Sequence, residues 1–137
     1  PELNIEKKVI KISLPSKYKN NSNKEILDLA IEKLYEQIAK VEVERAMEKI
    51  RIMVGFAPED YEIKNMKNEI ARCMQSKISV NPKIAMFHRD VIDFIILHEY
   101  CHLKYKTHSK NFYRLMEKYE PDFEKYEKIL KVSLFQY

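Results

Sequence analysis

The run Val91–Leu103, "VIDFIILHEYCHL", constrains the chain more than any other stretch, because it is apolar at helical spacing yet holds two histidines and a glutamate. Val91, Phe94 and Ile95 share a stripe with His98 and His102. Ile92, Ile96 and Leu103 widen that stripe, while Asp93, Tyr100 and Lys104 fall opposite. The pattern predicts a central helix with its histidine face turned inward. On a helix advancing ~100° per residue, His98 and His102 project only ~40° apart, with Cβ atoms roughly 5–6 Å from each other. Both imidazoles can then grip one ion. Glu99 lies about 60–100° round from them, near enough to reach a water on that ion without becoming a ligand.

This spacing is His-Glu-x-x-His. Zinc held by neutral imidazoles takes the pKa of bound water from about 15.7 toward ~7, and a carboxylate beside it can take the proton as a carbonyl is attacked. His108, six residues beyond His102, can complete three protein ligands and leave a fourth position for water. The bland alternatives are core histidines bonded to backbone carbonyls, with Glu99 as an ion-pair partner and His108 as a loop or capping residue. His88 reads as a plain loop residue, and Cys101 as a small packing residue. Lys104, Lys106, Lys110 and Arg114 around the third histidine read as a solvated face. Their sharper reading is an electropositive rim that draws acidic or nucleic-acid-associated substrates. Tyr105, Tyr113 and Arg114 are the nearby groups able to steady an oxyanion, and spacing does not choose among them.

A chain of 137 residues is read most simply as one domain with its own core. No apolar run approaches the ~18–20 residues that cross a bilayer. The start "PELNIEKKVI" lacks the order of a secretory signal, so a cytoplasmic place is expected. Two cysteines without a CxxC pair argue against a disulfide framework or a zinc knuckle. A net charge of +4, from lysines spread along the chain, permits polyanion binding without implying it.

Upstream, "KVIKISL" alternates Ile10, Ile12 and Leu14 with polar residues, as an amphipathic strand does. Ser22 and Glu25 form a capping-box pattern ahead of a long helix, with a bend expected near Val41–Val43 and a stop at Gly55, the chain's one glycine. "YEIKNM" and "KISVN" predict two or three short strands. Asp90 is then expected to cap a helix from about Val91 to Tyr105, Ser109 one over Lys110–Tyr119, and Pro121-Asp122 to open a last one through Leu130. The closing "KVSLFQY" is more apolar than a free tail usually is, and is expected to pack on the core or to dock on a neighbouring molecule.

The string "IDFIILHEYCHLKYKTHSKNFYRLMEKYEPDF" resembles the YgjP-like metallopeptidases, relatives of the SprT-like zinc peptidases among the zincins. The likeness spans roughly Tyr61–Leu130. It implies that His98, His102 and His108 are zinc ligands and Glu99 the catalytic base. It also implies that "ISVN" is the strand bordering the cleft, able to pair with an extended peptide. Where that family commonly shows Trp-Gly-Ser-Cys, this chain has "IARC" and keeps only Cys73. The spacing to His108 equals that of metzincins, but Tyr105 stands where they use glycine. By likeness to thermolysin-type zincins, Glu117 or Glu120 is the other contender for third ligand.

The resulting expectation is an α+β, zincin-like fold: a small sheet packed on a central active-site helix, an N-terminal helix and C-terminal helices. It forms one domain over 1–137, with a strand and helix in 1–60 and the catalytic core in 61–137. Its function is that of a zinc-dependent metallopeptidase with one catalytic Zn2+, acting on a peptide or an unfolded protein. A metal-stabilised nucleic-acid- or protein-binding module, and a zinc hydrolase of another amide or ester, are the rivals. No membrane partner is expected. An oligomer through the apolar tail and a nucleic-acid partner stay open.

Overall fold

Helix α1 runs unbroken over Asn23–Val54. The bend expected near Val41–Val43 is absent, because Ala39, Val43, Ala46, Met47 and Ile50 form one buried stripe whose packing outweighs the weak helix propensity of two valines. The helix ends where expected: Gly55 takes a left-handed φ of 85°, and its N–H donates to the Arg51 carbonyl at 2.9 Å. The computed structural model describes residues 23–137, so the strand expected at Ile10–Leu14 and the Ser22 cap lie outside the described residues.

Three short strands follow: β1 (Asp60–Ile63), β2 (Ala71–Met74) and β3 (Lys77–Val80). β3 sits in the middle, parallel to β1 and antiparallel to β2, with Ile78 opposite both Tyr61 and Cys73. Both of its edges are used. "ISVN" therefore does not offer a strand edge to a peptide, contrary to what the family likeness implies. Asn81, which closes β3, is buried and fully engaged. Its Nδ2 donates to the carbonyls of Met66 (2.8 Å) and Glu69 (3.0 Å), its Oδ1 accepts from Lys83 N, and its own N–H reaches the Ile70 carbonyl. The segment Met66–Ile70 is pinned by these bonds.

A 3-10 turn over Pro82–Met86 leads into α2 (Arg89–Lys104). The cap of α2 is His88, whose ring accepts from Asp90 N at 3.3 Å; Asp90, expected to be the cap, lies in the first turn. The face of α2 opposite the histidines is covered at Asp93 and Tyr100, while Lys104 is exposed. Asp93 pairs with Arg45 (2.9 Å) and Lys49 (2.8 Å) of α1, and Tyr100 donates to the Met47 carbonyl at 3.1 Å. A bidentate contact from Arg89 to Glu42 adds to this seam. α2 is thus enclosed by α1 on one side and by β2, α3 and α4 on others, as a helix apolar nearly all round must be.

α3 (Lys110–Tyr119) begins at Ser109, whose hydroxyl accepts from Phe112 N. α4 (Phe123–Ser133) runs three residues past Leu130, and Asp122 stands at its start without a side-chain cap bond. Leu134 turns the chain at φ 66°, and an extended segment then runs beside residues 68–70. The Gln136 N–H donates to the Asn68 carbonyl (2.9 Å) and the Ile70 N–H to the Gln136 carbonyl (2.7 Å). The tail packs on its own chain through Phe135 and Tyr137, while Val132 and Leu134 face outward. The fold is α+β.

Candidate metal centre

One turn of α2 separates His98, which is buried, from His102, which is half-buried; His108 reaches the same place from the exposed loop ahead of α3. Their ring nitrogens all lie within 4.8 Å of one another, wider than the ~3.4 Å between tetrahedral ligands ~2.1 Å from one ion, so the rings would close inward slightly to share one. Ring centroids are 4.7 Å (His98–His102), 5.3 Å (His98–His108) and 4.9 Å (His102–His108) apart. Among the described residues this is the one cluster of three or more groups that could hold a metal.

The donor set fits zinc on chemical grounds. Nδ1 of His102 donates to the Tyr105 carbonyl at 3.1 Å, which leaves Nε2 with its lone pair free. Nδ1 of His98 lies 3.0 Å from Oε2 of the buried Glu99, so the same tautomer and a tied carboxylate come together. Desolvation, and then the neighbouring His98, hold the His102 pKa below the usual range. The same causes, with His102 added, lower His108. Both rings are neutral near pH 7, the form that ligates. The Cys101 thiol is pushed up to about 12 by burial and by Glu99, and Cys73 to about 11. Neither is a thiolate ligand, and Cys101 packs in the core.

A residue that spacing alone did not single out lies under all three imidazoles. Phe112, fully buried, has its ring 5.1, 4.7 and 5.0 Å from those of His98, His102 and His108. Its signal was in the sequence, four residues after His108 and one helical turn into α3. Tyr137 was also missed; its ring stands edge-on to His98 at 4.7 Å. The third is Glu127 of α4, which lines the same cleft. That cleft encloses about 770 Å³ and is bounded by His98, His108, Tyr113, Glu127 and Tyr137. Its size falls within the range of small-ligand and peptide sites.

The other candidates separate cleanly. Tyr113 lines the cleft, 6.2 Å from the His108 ring, whereas Tyr105 serves through its carbonyl and Arg114 is exposed on α3. Glu117 is exposed, and Glu120 accepts from Asp122 N at 3.2 Å. Neither joins the histidines. Lys104, Lys106 and Lys110 are exposed, with the Lys104 ammonium 4.7 Å from the centre of the Phe56 ring.

A family model described as the YgjP-like metallopeptidase domain matches residues 2–133. The chain belongs to the YgjP-like metallopeptidases. The match is longer than the Tyr61–Leu130 likeness read from motifs and takes in the N-terminal portion. This YgjP-like chain is similar in structure to the metallopeptidase zymogen of Pyrococcus abyssi abylysin, with TM-score 0.61 and 27% identity over 67% of this chain and 94% of that one. It shares its fold with the metallopeptidase zymogen of Methanocaldococcus jannaschii jannalysin, at TM-score 0.59 and 23% identity over 69% of this chain and 91% of that one. No curated protein sequence matches it. A metallopeptidase domain implies a catalytic metal and peptide substrates. Among the described residues, no helix is long and apolar enough to cross a membrane.

Proposed function

We propose that this chain is a zinc-dependent peptidase whose ion is held by His98, His102 and His108 and whose general base is Glu99. The observation that carries the reading is the convergence of three imidazole rings, their donor atoms within 4.8 Å, with the Glu99 carboxylate tied 3.0 Å from the first of them. When bound, zinc acidifies a water and polarises the scissile carbonyl. His102 is oriented for that by the Tyr105 carbonyl, and Phe112 fixes the relative tilt of all three rings. Glu99 accepts the proton of the attacking water and returns it to the departing amine nitrogen. Its burial in a low-dielectric wall keeps that proton from bulk solvent. Tyr113, which lines the same cleft beside His108, supplies a hydroxyl for the oxyanion in this reading.

Residues 1–137 are read as one such domain. Substitution of the base tests the reading directly. Glu99→Gln is expected to retain one zinc per chain by metal analysis and to lose on the order of 10²–10⁴ in cleavage of unfolded casein, the usual contribution of a general base. Cleavage at the wild-type rate by this variant removes Glu99 from the mechanism.

A further inference from the structure

One wall of the cleft carries a charge that the hydrolytic mechanism does not use. On α4 the buried stripe is set by Tyr126 and Leu130, and Glu127 stands beside it at the next helical position, with Glu124, Lys128 and Lys131 falling ~40–100° further round. Burial follows that order. Glu127 is half-buried, whereas the other charged residues of α4 are exposed. Its carboxylate lines the cleft with His98 and Tyr113 and lies within electrostatic range of both. Among the described residues, no cationic side chain pairs with it: Lys131, one turn on, stays at the exposed rim. Burial is the largest influence on the Glu127 carboxyl and raises its pKa; His98 lowers it and Glu124 raises it, and the net direction is upward. A carboxylate drawn out of water without a partner is costly, and a cation entering the cleft would offset that cost.

The class of cation follows from what surrounds the carboxylate. A hard metal ion takes six or more oxygens, which one glutamate does not supply. The Tyr113 ring, tilted against that of Phe123 at a centroid distance of 5.6 Å, adds an aromatic face to the same cleft. A carboxylate with an aromatic face nearby suits an ammonium or a guanidinium. We propose that Glu127 is a specificity-determining residue that takes an organic cation of the bound peptide, a basic side chain or a free N-terminal amine, beside the ion site at His98. This deepens the peptidase reading by naming a substrate class, and rests on it for cleavage but not for binding. Lys128 and Lys131 on the rim of the same cleft disfavour a run of basic residues, so one cation per peptide is the expected pattern.

The test is made on the full, zinc-loaded chain carrying Glu99→Gln, so that binding is read without turnover. The probes are end-blocked alanine hexapeptides with a C-terminal fluorophore and one lysine moved through the positions, each set against norleucine at the same position. A further arm compares an unblocked alanine hexapeptide with its acetylated form. Lysine at one position, or the free amine, is expected to bind about tenfold more tightly by anisotropy than its neutral counterpart. A gain from lysine identifies the side chain as the source of the cation, and a gain from the free amine identifies the N-terminus. Adding Glu127→Gln is expected to bring that ratio to about one, Glu127→Asp to keep part of it, and Glu127→Lys to favour glutamate at the same place. Glu117→Gln, which removes an equal charge from the exposed face of α3, is expected to leave the tenfold preference intact. With Glu127 unaltered, indifference to the cation, or a lysine preference equal at every position, overturns the proposal without recourse to any further variant. A preference that survives Glu127→Gln also overturns it. So does a loss of zinc affinity in that variant, by chelator competition, with no cation preference in the parent, since the carboxylate would then serve the ion. A chain that prefers the cation yet cuts nothing as wild type supports this role for Glu127 and refutes the peptidase. One that cleaves casein but binds charged and neutral probes alike refutes the role of Glu127 alone.

Discussion

At the scale of single residues, the centre is held as much by an aromatic ring as by its donors. Phe112 packs on all three imidazoles and is fully enclosed, so Phe112→Ala opens a cavity under the site. The expected loss is about 3–5 kcal/mol in denaturant unfolding. Phe112→Leu is expected to keep the fold while weakening zinc affinity in a chelator competition. The pKa values of His102 and His108 are lowered, chiefly by desolvation. As pH falls below ~6.5 the unfolded chain takes up protons that the folded rings refuse, so the stability of the metal-free protein declines through the acid range and levels off above about pH 7. Zinc retention moves in the same direction, since a protonated ring cannot ligate. Equilibrium unfolding from pH 5 to 8, with and without metal, checks both slopes.

At the scale of elements, what was legible was local. The His98–Glu99–His102 spacing, the Gly55 stop and the Ser109 cap depend on neighbours within a turn, and each stands where the periodicity puts it. The continuity of α1 through Val41–Val43, the central place of β3, and the covering of Asp93 and Tyr100 depend on partners that are distant in sequence, where propensity gives way to packing. The tail was half legible: its apolar content signalled packing, but not the strand pairing at Gln136, which needs the shape of the 66–70 segment. Asn81 makes that shape. Removing its amide in Asn81→Ala strips three side-chain hydrogen bonds from buried or half-buried backbone, and is expected to cost roughly 2–4 kcal/mol. Faster exchange at the amides of residues 68–70 is the accompanying sign. A variant as stable as wild type, with unchanged exchange there, would show that the loop holds itself.

For the whole molecule, the candidate metal centre would join α2 to the loop ahead of α3, since His108 arrives from that exposed loop while His98 and His102 sit on a largely buried helix. Binding at such a junction adds to the folding free energy by mass action. Stripping zinc with a chelator is expected to lower the melting temperature, by about 2.7 kcal/mol worth of stability when free zinc had stood at 100 times its dissociation constant. The loss is expected to localise to exchange in α3 and its preceding loop, leaving α1 near its original protection. Uniform loss along the chain would mean that the ion supports the entire core. The path from α4 into the cleft passes through Leu134, a non-glycine residue at φ 66° whose side chain is almost wholly in water. Glycine there would ease the bend and proline would forbid it. The heading of residues 135–137 as they leave α4 can therefore be reset at a side chain that belongs neither to the imidazole cluster nor to the pairing with residues 68–70.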